Sequence, residues 1–144
     1  MSTQKIFIAI AFAGLVADRI FKYFAIKSPI YSEGFFLITD KLGLRYHLNQ
    51  NFAWSLPLSN DLTAALMAVV IIILFIVFIK KKNIPVLWLI IVGAISNLFD
   101  RIAYSGVIDY IVVPWGGIIN IADVLVVSGL VVLIFCSKNS TKLV

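Results

Sequence analysis

Between Leu62 and Ile79 the chain runs for 18 residues without a charged side chain, and Lys80, Lys81 and Lys82 close the run. As a helix rising 1.5 Å per residue, a run of this length approaches the thickness of a bilayer's hydrocarbon core. In water, a helix apolar on every face would need burial on every face. A chain of 144 residues, 62% hydrophobic and only 13% charged, is too small and too apolar to supply that burial. An integral membrane protein follows. Three other apolar runs read as spans, at about 6–26, 84–104 and 118–136, besides the run at 62–79. The expected fold is an all-α membrane protein with four transmembrane helices, residues 1–144 forming one integral membrane domain. Ala11-Phe12-Ala13 has the form of a signal-peptide cleavage site, but the apolar stretch before it, Ile6–Ile10, is too short for a signal core. A retained first helix is the expectation.

The one long polar interval, 28–60, is punctuated by Pro29, Gly34 and Gly43. Within it, Phe35–Thr39 and Leu42–Leu48 carry the aromatic and β-branched residues of short strands. A small β-rich subdomain between helices 1 and 2 is expected there, lying on the outer membrane surface with Tyr46 and Trp54 in the interfacial belt. The net charge of +5 does not point to nucleic acid, because the basic residues stand at the ends of apolar runs rather than among aromatics. Their distribution predicts both termini and the triple lysine on the cytoplasmic side, with the 28–60 and 105–117 loops outside. Cys136 is the only cysteine and His47 the only histidine, so no disulfide, metal site or cofactor is expected, and His47 reads as a surface residue.

The chain has seven acidic residues, and Asp100, Asp109 and Asp123 lie inside or between apolar runs with Asn97, Arg101 and Asn120. Ionisable groups in such surroundings are costly and are kept for pairing or chemistry. Asp18 and Lys22, four apart, share a helix face and are expected to pair. In the predicted topology Asp18, Asp100, Asp109 and Asp123 reach one depth near the outer leaflet. Two carboxylates in a partly dry site split their titrations, leaving one protonated and one as base. Such a pair activates water and protonates a leaving amine, the requirements of peptide hydrolysis without a metal. Asp109 and Asp123 are expected to face each other at the entrance of span four. Capping is a structural alternative for Asp109 and Asn120, and a harder one for Asp123, because 118–122 already reads as helix. Arg101 is suited to a carboxylate or a lipid phosphate, and Asn97 and Asn120 to holding carboxylates in place.

Gly93-Ala94-Ile95-Ser96-Asn97-Leu98-Phe99-Asp100-Arg101, Val107-Ile108-Asp109-Tyr110 and Asn120-Ile121-Ala122-Asp123 resemble, in order, the signatures of the bacterial lipoprotein (type II) signal peptidases. Asp18 to Lys22 is similar to that family's segment in the first span, and Asn49 to Ser55 to its segment in the outer loop. The resemblance implies an aspartic endopeptidase of the bacterial cytoplasmic membrane. It would cleave diacylglyceryl-modified prolipoproteins before the lipidated cysteine, with no cofactor, as a monomer among membrane lipids. It implies Asp109 and Asp123 as the catalytic pair. Asn49, Asn97, Asp100, Arg101 and Asn120 would shape and support the site, with Asp18 and Lys22 behind them.

The chain departs from the family pattern at Arg19, Phe21, Asn51, Phe52 and Ile119, and its inter-aspartate connection is short. Asn51 stands where Gly is usual, so a left-handed turn there is expected. A small proton- or ion-coupled transporter is the alternative, since intramembrane carboxylates also carry ions. The charges gather at one face rather than the midplane, and no internal repeat appears. Metalloprotease and serine-protease readings lack their motifs, with neither His-Glu-x-x-His nor Gly-x-Ser-x-Gly present.

Overall fold

A computed structural model of the protein describes residues 2–38, 41–51, 58–81 and 84–140, the last five of these by backbone only. Trp54, Phe52 and Lys82 lie outside the described residues, as does the tail beyond 140, so the expectations for them have no structural counterpart. The elements in order are α1 (Thr3–Lys27), α2 (Pro29–Glu33), β1 (Phe35–Ile38), β2 (Leu42–Asn49), α3 (Asn60–Lys80), α4 (Leu87–Tyr104), β3 (Val107–Val113), β4 (Gly117–Ile119) and α5 (Ile121–Ser140).

The apolar runs form the long helices. Along α3 only Thr63 is buried; Leu74 and Phe78 pack half-buried against α4, while Val69, Val70, Ile72, Ile73 and Ile79 are exposed. Soluble proteins do not present an apolar surface of this extent to water. Asn60–Lys80 and Leu87–Tyr104 are each long and apolar enough to cross a membrane. α4 differs from α3 in being the central helix, packed against α1, α3 and α5. It buries Leu87, Leu89, Ile90 and Ile91 in its first half and Ser96, Asn97, Asp100 and Arg101 in its second.

The expected sheet is present but larger than the sequence suggested. β1 and β2 are the two short strands expected in the 28–60 loop, but they are half of a four-stranded antiparallel sheet ordered β1-β2-β3-β4. The subdomain is therefore not confined to the connection between helices 1 and 2. The 105–117 connection, read as a tight loop, contributes β3 and β4. Val107–Val113 has the β-branched composition of a strand and is buried at all but one position. It is set in place where α4 ends at Ser105, a left-handed residue at φ 57° that turns the chain back along β2. β4 also shortens the fourth helix: residues 117–119 pair with Ile111–Val113, and α5 begins at Ile121 rather than near 118.

α4 and α5 approach closely because glycines stand at their contact. A Cβ on Gly93 would lie 2.6 Å from the Ala122 carbonyl oxygen, and one on Gly129 would lie 2.6 Å from Ile90 Cγ1. Small residues of this kind let membrane helices pack backbone to backbone. Gly93→Ala is expected to lower the thermal stability of the detergent-purified protein by an overpacking cost of roughly 1–3 kcal/mol. Gly117→Ala is the control: its Cβ would meet only Val113 Cγ2, at 3.7 Å, and its melting temperature should stay at the wild-type value.

Candidate active site

The polar residues singled out in the sequence gather where α1, α4, β3 and the start of α5 meet. At the base is Lys22, with no exposed surface. Its ammonium has three hydrogens and three partners: Asp18 Oδ2 at 2.8 Å, Asp100 Oδ2 at 2.7 Å and Asn97 Oδ1 at 2.9 Å. The expected i,i+4 pair with Asp18 is therefore one arm of a larger junction. Asp18 also accepts from Ser96 Oγ at 2.6 Å, from Tyr110 Oη at 3.1 Å and from the Ala122 amide at 3.2 Å. Asp100 accepts from Arg19 at 2.7 Å and from the Ile108 amide at 3.3 Å, which ties the last turns of α4 to the strand carrying Asp109.

Two amides stand above this base, and their orientations are determined by their neighbours. Lys22 can only donate, so the Asn97 atom facing it is the oxygen and its Nδ2 points the other way, onto Asp123 Oδ1 at 2.8 Å. The backbone N–H of Asp123 can likewise only donate, so Asn120 turns Oδ1 to it at 2.8 Å. Asn120 Nδ2 then faces Asp109 Oδ1 at 2.6 Å and Asn97 Oδ1 at 3.2 Å. Asn49, at the end of β2, donates to the second oxygen of Asp109 at 3.2 Å.

Asp109 and Asp123 are thus brought together with Asn120 touching both. Each takes one N–H bond on each oxygen, Asp123 receiving its second from the Asn120 amide at 3.2 Å. Asp109 lies in β3 rather than at a helix cap and is 2% exposed. Burial, and next the negative charge of Asp123, push its carboxyl up to about 7, against the pull of the Asn49 and Asn120 bonds. Asp123 is half-buried at the first turn of α5.

The capping argument for Asp123 needs correction. Because 117–119 is strand, Asn120 is the N-cap and Asp123 the third helical residue, and the two exchange side-chain to backbone bonds in both directions. This is a capping box, a role the sequence reading disfavoured when it began the helix near 118. The remaining free N–H groups of α5's first turn are also met: Ile121 by Tyr110 Oη at 3.2 Å and Ala122 by Asp18. Asp123 therefore has a structural role as well as its place beside Asp109.

Arg101 is buried, and no carboxylate among the described residues bonds it directly. Nη1 donates to Asn60 Oδ1 at 3.1 Å and Nη2 to the Asn51 carbonyl at 2.8 Å, joining α4 to the start of α3 and to the chain just after β2. Asn51 does not take the left-handed turn expected of it. Among the described residues Ser105 alone combines a side chain with positive φ. Asn51 is held instead by its N–H donating to Asn49 Oδ1 at 3.2 Å, a local side-chain turn that needs no positive φ.

Sequence reasoning missed Tyr110, Ser96 and Asn60. Tyr110 is the most informative omission, because it joins Asp18 to the helix start and stacks on Phe21 with ring centroids 5.7 Å apart. Its signal was its place next to Asp109 in an apolar strand. Ser96 stands beside Asn97 in the quoted motif, but small hydroxyl residues in helices have many roles and it carried no weight. Among the described residues no group of His, Cys, Asp and Glu is arranged to hold a metal ion.

Residues 10–138 match the family described as Signal peptidase (SPase) II. A lipoprotein signal peptidase of Clostridium tetani (strain Massachusetts / E88) is 36% identical over 138 residues, 88% of each chain. One of Clostridium novyi (strain NT) is 30% identical, over 83% of this chain and 88% of that one. Among solved structures, a bacterial membrane enzyme determined by the in meso method at 2.3 Å superposes with a TM-score of 0.82 at 27% identity, covering 95% of this chain and 90% of that one. A second, at 1.9 Å, gives 0.78 at 25% identity, covering 92% of each. With a family match over nearly its whole length and relatives of this identity, the chain belongs to the signal peptidase II family, a family of bacterial membrane proteases.

Proposed function

We propose that this protein removes signal peptides from prolipoproteins by aspartic catalysis, with Asp109 and Asp123 as the catalytic pair. Family membership and the lipoprotein signal peptidases it resembles support the substrate class. The observation that carries the aspartic chemistry is the pair itself: two carboxylates bridged by Asn120, with amides as their only direct side-chain partners among the described residues. Asp109, the more deeply buried, keeps the shared proton. Asp123 takes a proton from water as the water attacks the scissile carbonyl. Asp109 hydrogen-bonds the carbonyl oxygen as charge develops there and gives its proton to the leaving amine as the C–N bond breaks. The proton Asp123 took from water passes to Asp109 and restores the one-proton pair. Lys22 and Asn97 orient Asp123, Asn49 and Asn120 orient Asp109, and Arg101 ties Asn51, two residues past Asn49, to α4.

The same reading extends to the membrane. The single domain crosses it four times, through α1, α3, α4 and α5, with both termini cytoplasmic and the pair at the outer leaflet. The lipid-modified form of the substrate enters from the bilayer. The proposed functional unit is a single chain. The transporter alternative is not favoured.

Cleavage of a lipid-modified prolipoprotein by folded, detergent-purified variants tests the pair. Asp109→Asn and Asp123→Asn should each lower turnover by at least a hundredfold, and the double variant no further, since a unit once broken cannot break twice. Turnover near wild type from either single variant would end the assignment. The pH profile has a defined sign. With Asp109 at about 7, the acid is present below that pH and absent above it, so kcat should fall as pH rises through about 7. A rate rising steadily to pH 9 would contradict Asp109 as the acid. Cysteine labelling in sealed vesicles should find Lys81→Cys reactive only from the cytoplasmic face, and His47→Cys only from the outer one.

A further inference from the structure

Four charged side chains meet where α1 crosses α4. Three of them, Asp18, Lys22 and Asp100, have side chains with no exposed surface. Arg19 is the fourth and lies at the edge of the cluster, its side chain 31% exposed. Its Nη1 donates to Asp100 Oδ1 at 2.7 Å and is within reach of Ser96 Oγ at 3.3 Å and the Ser96 carbonyl at 3.4 Å. The guanidinium lies 4.8 Å from the centre of the Phe99 ring. A face on an aromatic ring and an edge on a buried carboxylate hold it more firmly than a simple surface ion pair. Without it, one ammonium would serve two buried carboxylates, leaving the cluster with a net negative charge. With it, the two carboxylates are matched by two cations.

We propose that Arg19 is a positioning residue for the cleavage reaction. By taking Asp100 Oδ1 it balances the buried cluster, so that Lys22 stays committed to Asn97 and, through it, to Asp123. The proposal rests on the reading of Asp109 and Asp123 as the catalytic pair. Two bonded paths lead from Arg19 to that pair. One runs through Asp100 Oδ2 to the Ile108 amide, one residue before Asp109. The other runs through Lys22 to Asn97 Oδ1 at 2.9 Å and from Asn97 Nδ2 to Asp123 at 2.8 Å. The charged and titratable groups around the cluster are Asp18 and Lys22 on α1, Asp100 and Arg101 on α4, Asp109 and Tyr110 on β3 and Asp123 on α5. Removing Arg19 adds one net negative charge on the Lys22 side of the pair, and an added negative charge makes a carboxyl hold its proton to higher pH.

The test is the pH dependence of kcat and KM for prolipoprotein cleavage by the full-length protein in detergent. Arg19→Gln should lower kcat with little change in KM. It should also move both limbs of the profile upward by about half to one pH unit, the scale of one unit charge acting through a partly buried site. Arg19→Lys keeps the charge and should keep the wild-type limbs. Arg19→Gln combined with Asp100→Asn removes one charge of each sign and should bring the limbs back toward wild type. Limbs unmoved in Arg19→Gln, or moved equally in the single and double variants, would overturn the proposal. If Arg19→Gln alone does not fold, recovery of folding and of wild-type limbs in the double variant supports the counter-charge role, and an unfolded double variant overturns it. Asp109→Asn and Asp123→Asn, assayed alongside, separate the two readings. If both are inactive while the Arg19→Gln profile is unmoved, only the Arg19 inference fails; if either is active, the catalytic reading beneath it fails.

Discussion

The architecture of the site depends on one buried ammonium. Lys22 has no exposed surface and serves two carboxylates and one amide, each within 2.9 Å. A lone charge in such a place would cost several kcal/mol, and removing one partner of a buried pair typically costs about 3–5 kcal/mol because the other is left uncompensated. Lys22 must therefore keep Asp18 and Asp100 close, and these two carry the bonds that assemble the fold. Asp18 reaches α4 through Ser96, β3 through Tyr110 and α5 through the Ala122 amide. Asp100 reaches β3 through the Ile108 amide. Four elements are held at one point by bonds that trace back to a single side chain of α1.

The start of α5 shows how closely support and chemistry are joined. A helix begins with backbone N–H groups that have no partner within it, and inside a membrane protein water cannot be relied on to satisfy them. Here Tyr110, Asp18 and Asn120 satisfy those of Ile121, Ala122 and Asp123. All three belong to the polar cluster beneath the proposed catalytic pair. The capping box between Asn120 and Asp123 holds one carboxylate of that pair to the helix backbone. The close packing of Gly93 on Ala122 then sets how far this helix start stands from α4 and Asn97.

Much of this was legible in the sequence because the energetic penalties involved are large. A run of 18 uncharged residues, and carboxylates placed among such runs, have few physical solutions, so the helices and the gathering of Asp18, Lys22, Asn97, Asp100, Asp109, Asn120 and Asp123 followed from them. The errors came where the penalties are small. Val107–Val113 is apolar and short, and such a segment reads equally as loop, strand or helix start until its pairing partner is known. That partner, β2, lies about 60 residues earlier in the chain, beyond any local pattern. Missing β3 and β4 moved the start of α5 to 118, and that error removed the capping box from view. Asn51 failed for a related reason: its residue type permits the left-handed region, but Asn49 and Arg101 supply bonds that hold it elsewhere.

The intervening amides explain why so many charges can surround the pair without disabling it. A cation touching Asp109 would draw its proton off well below neutral pH, and an acid that has lost its proton cannot donate one to the leaving amine. Lys22 is instead kept one amide away: it bonds Asn97, which bonds Asp123, while Asn120 bonds Asp109. Asparagine passes on an orientation without passing on a full charge, because the donor it offers to the carboxylate is neutral. Asp109 then sits near 7, raised by burial and by its partner and only moderated by the amides. Aspartate in place of Asn97 or Asn120 would add a third charge to the pair, and lysine would pin both carboxylates in the ionised state. An asparagine at each of these two positions is thus the choice that fixes the geometry and still leaves one proton for the pair to share.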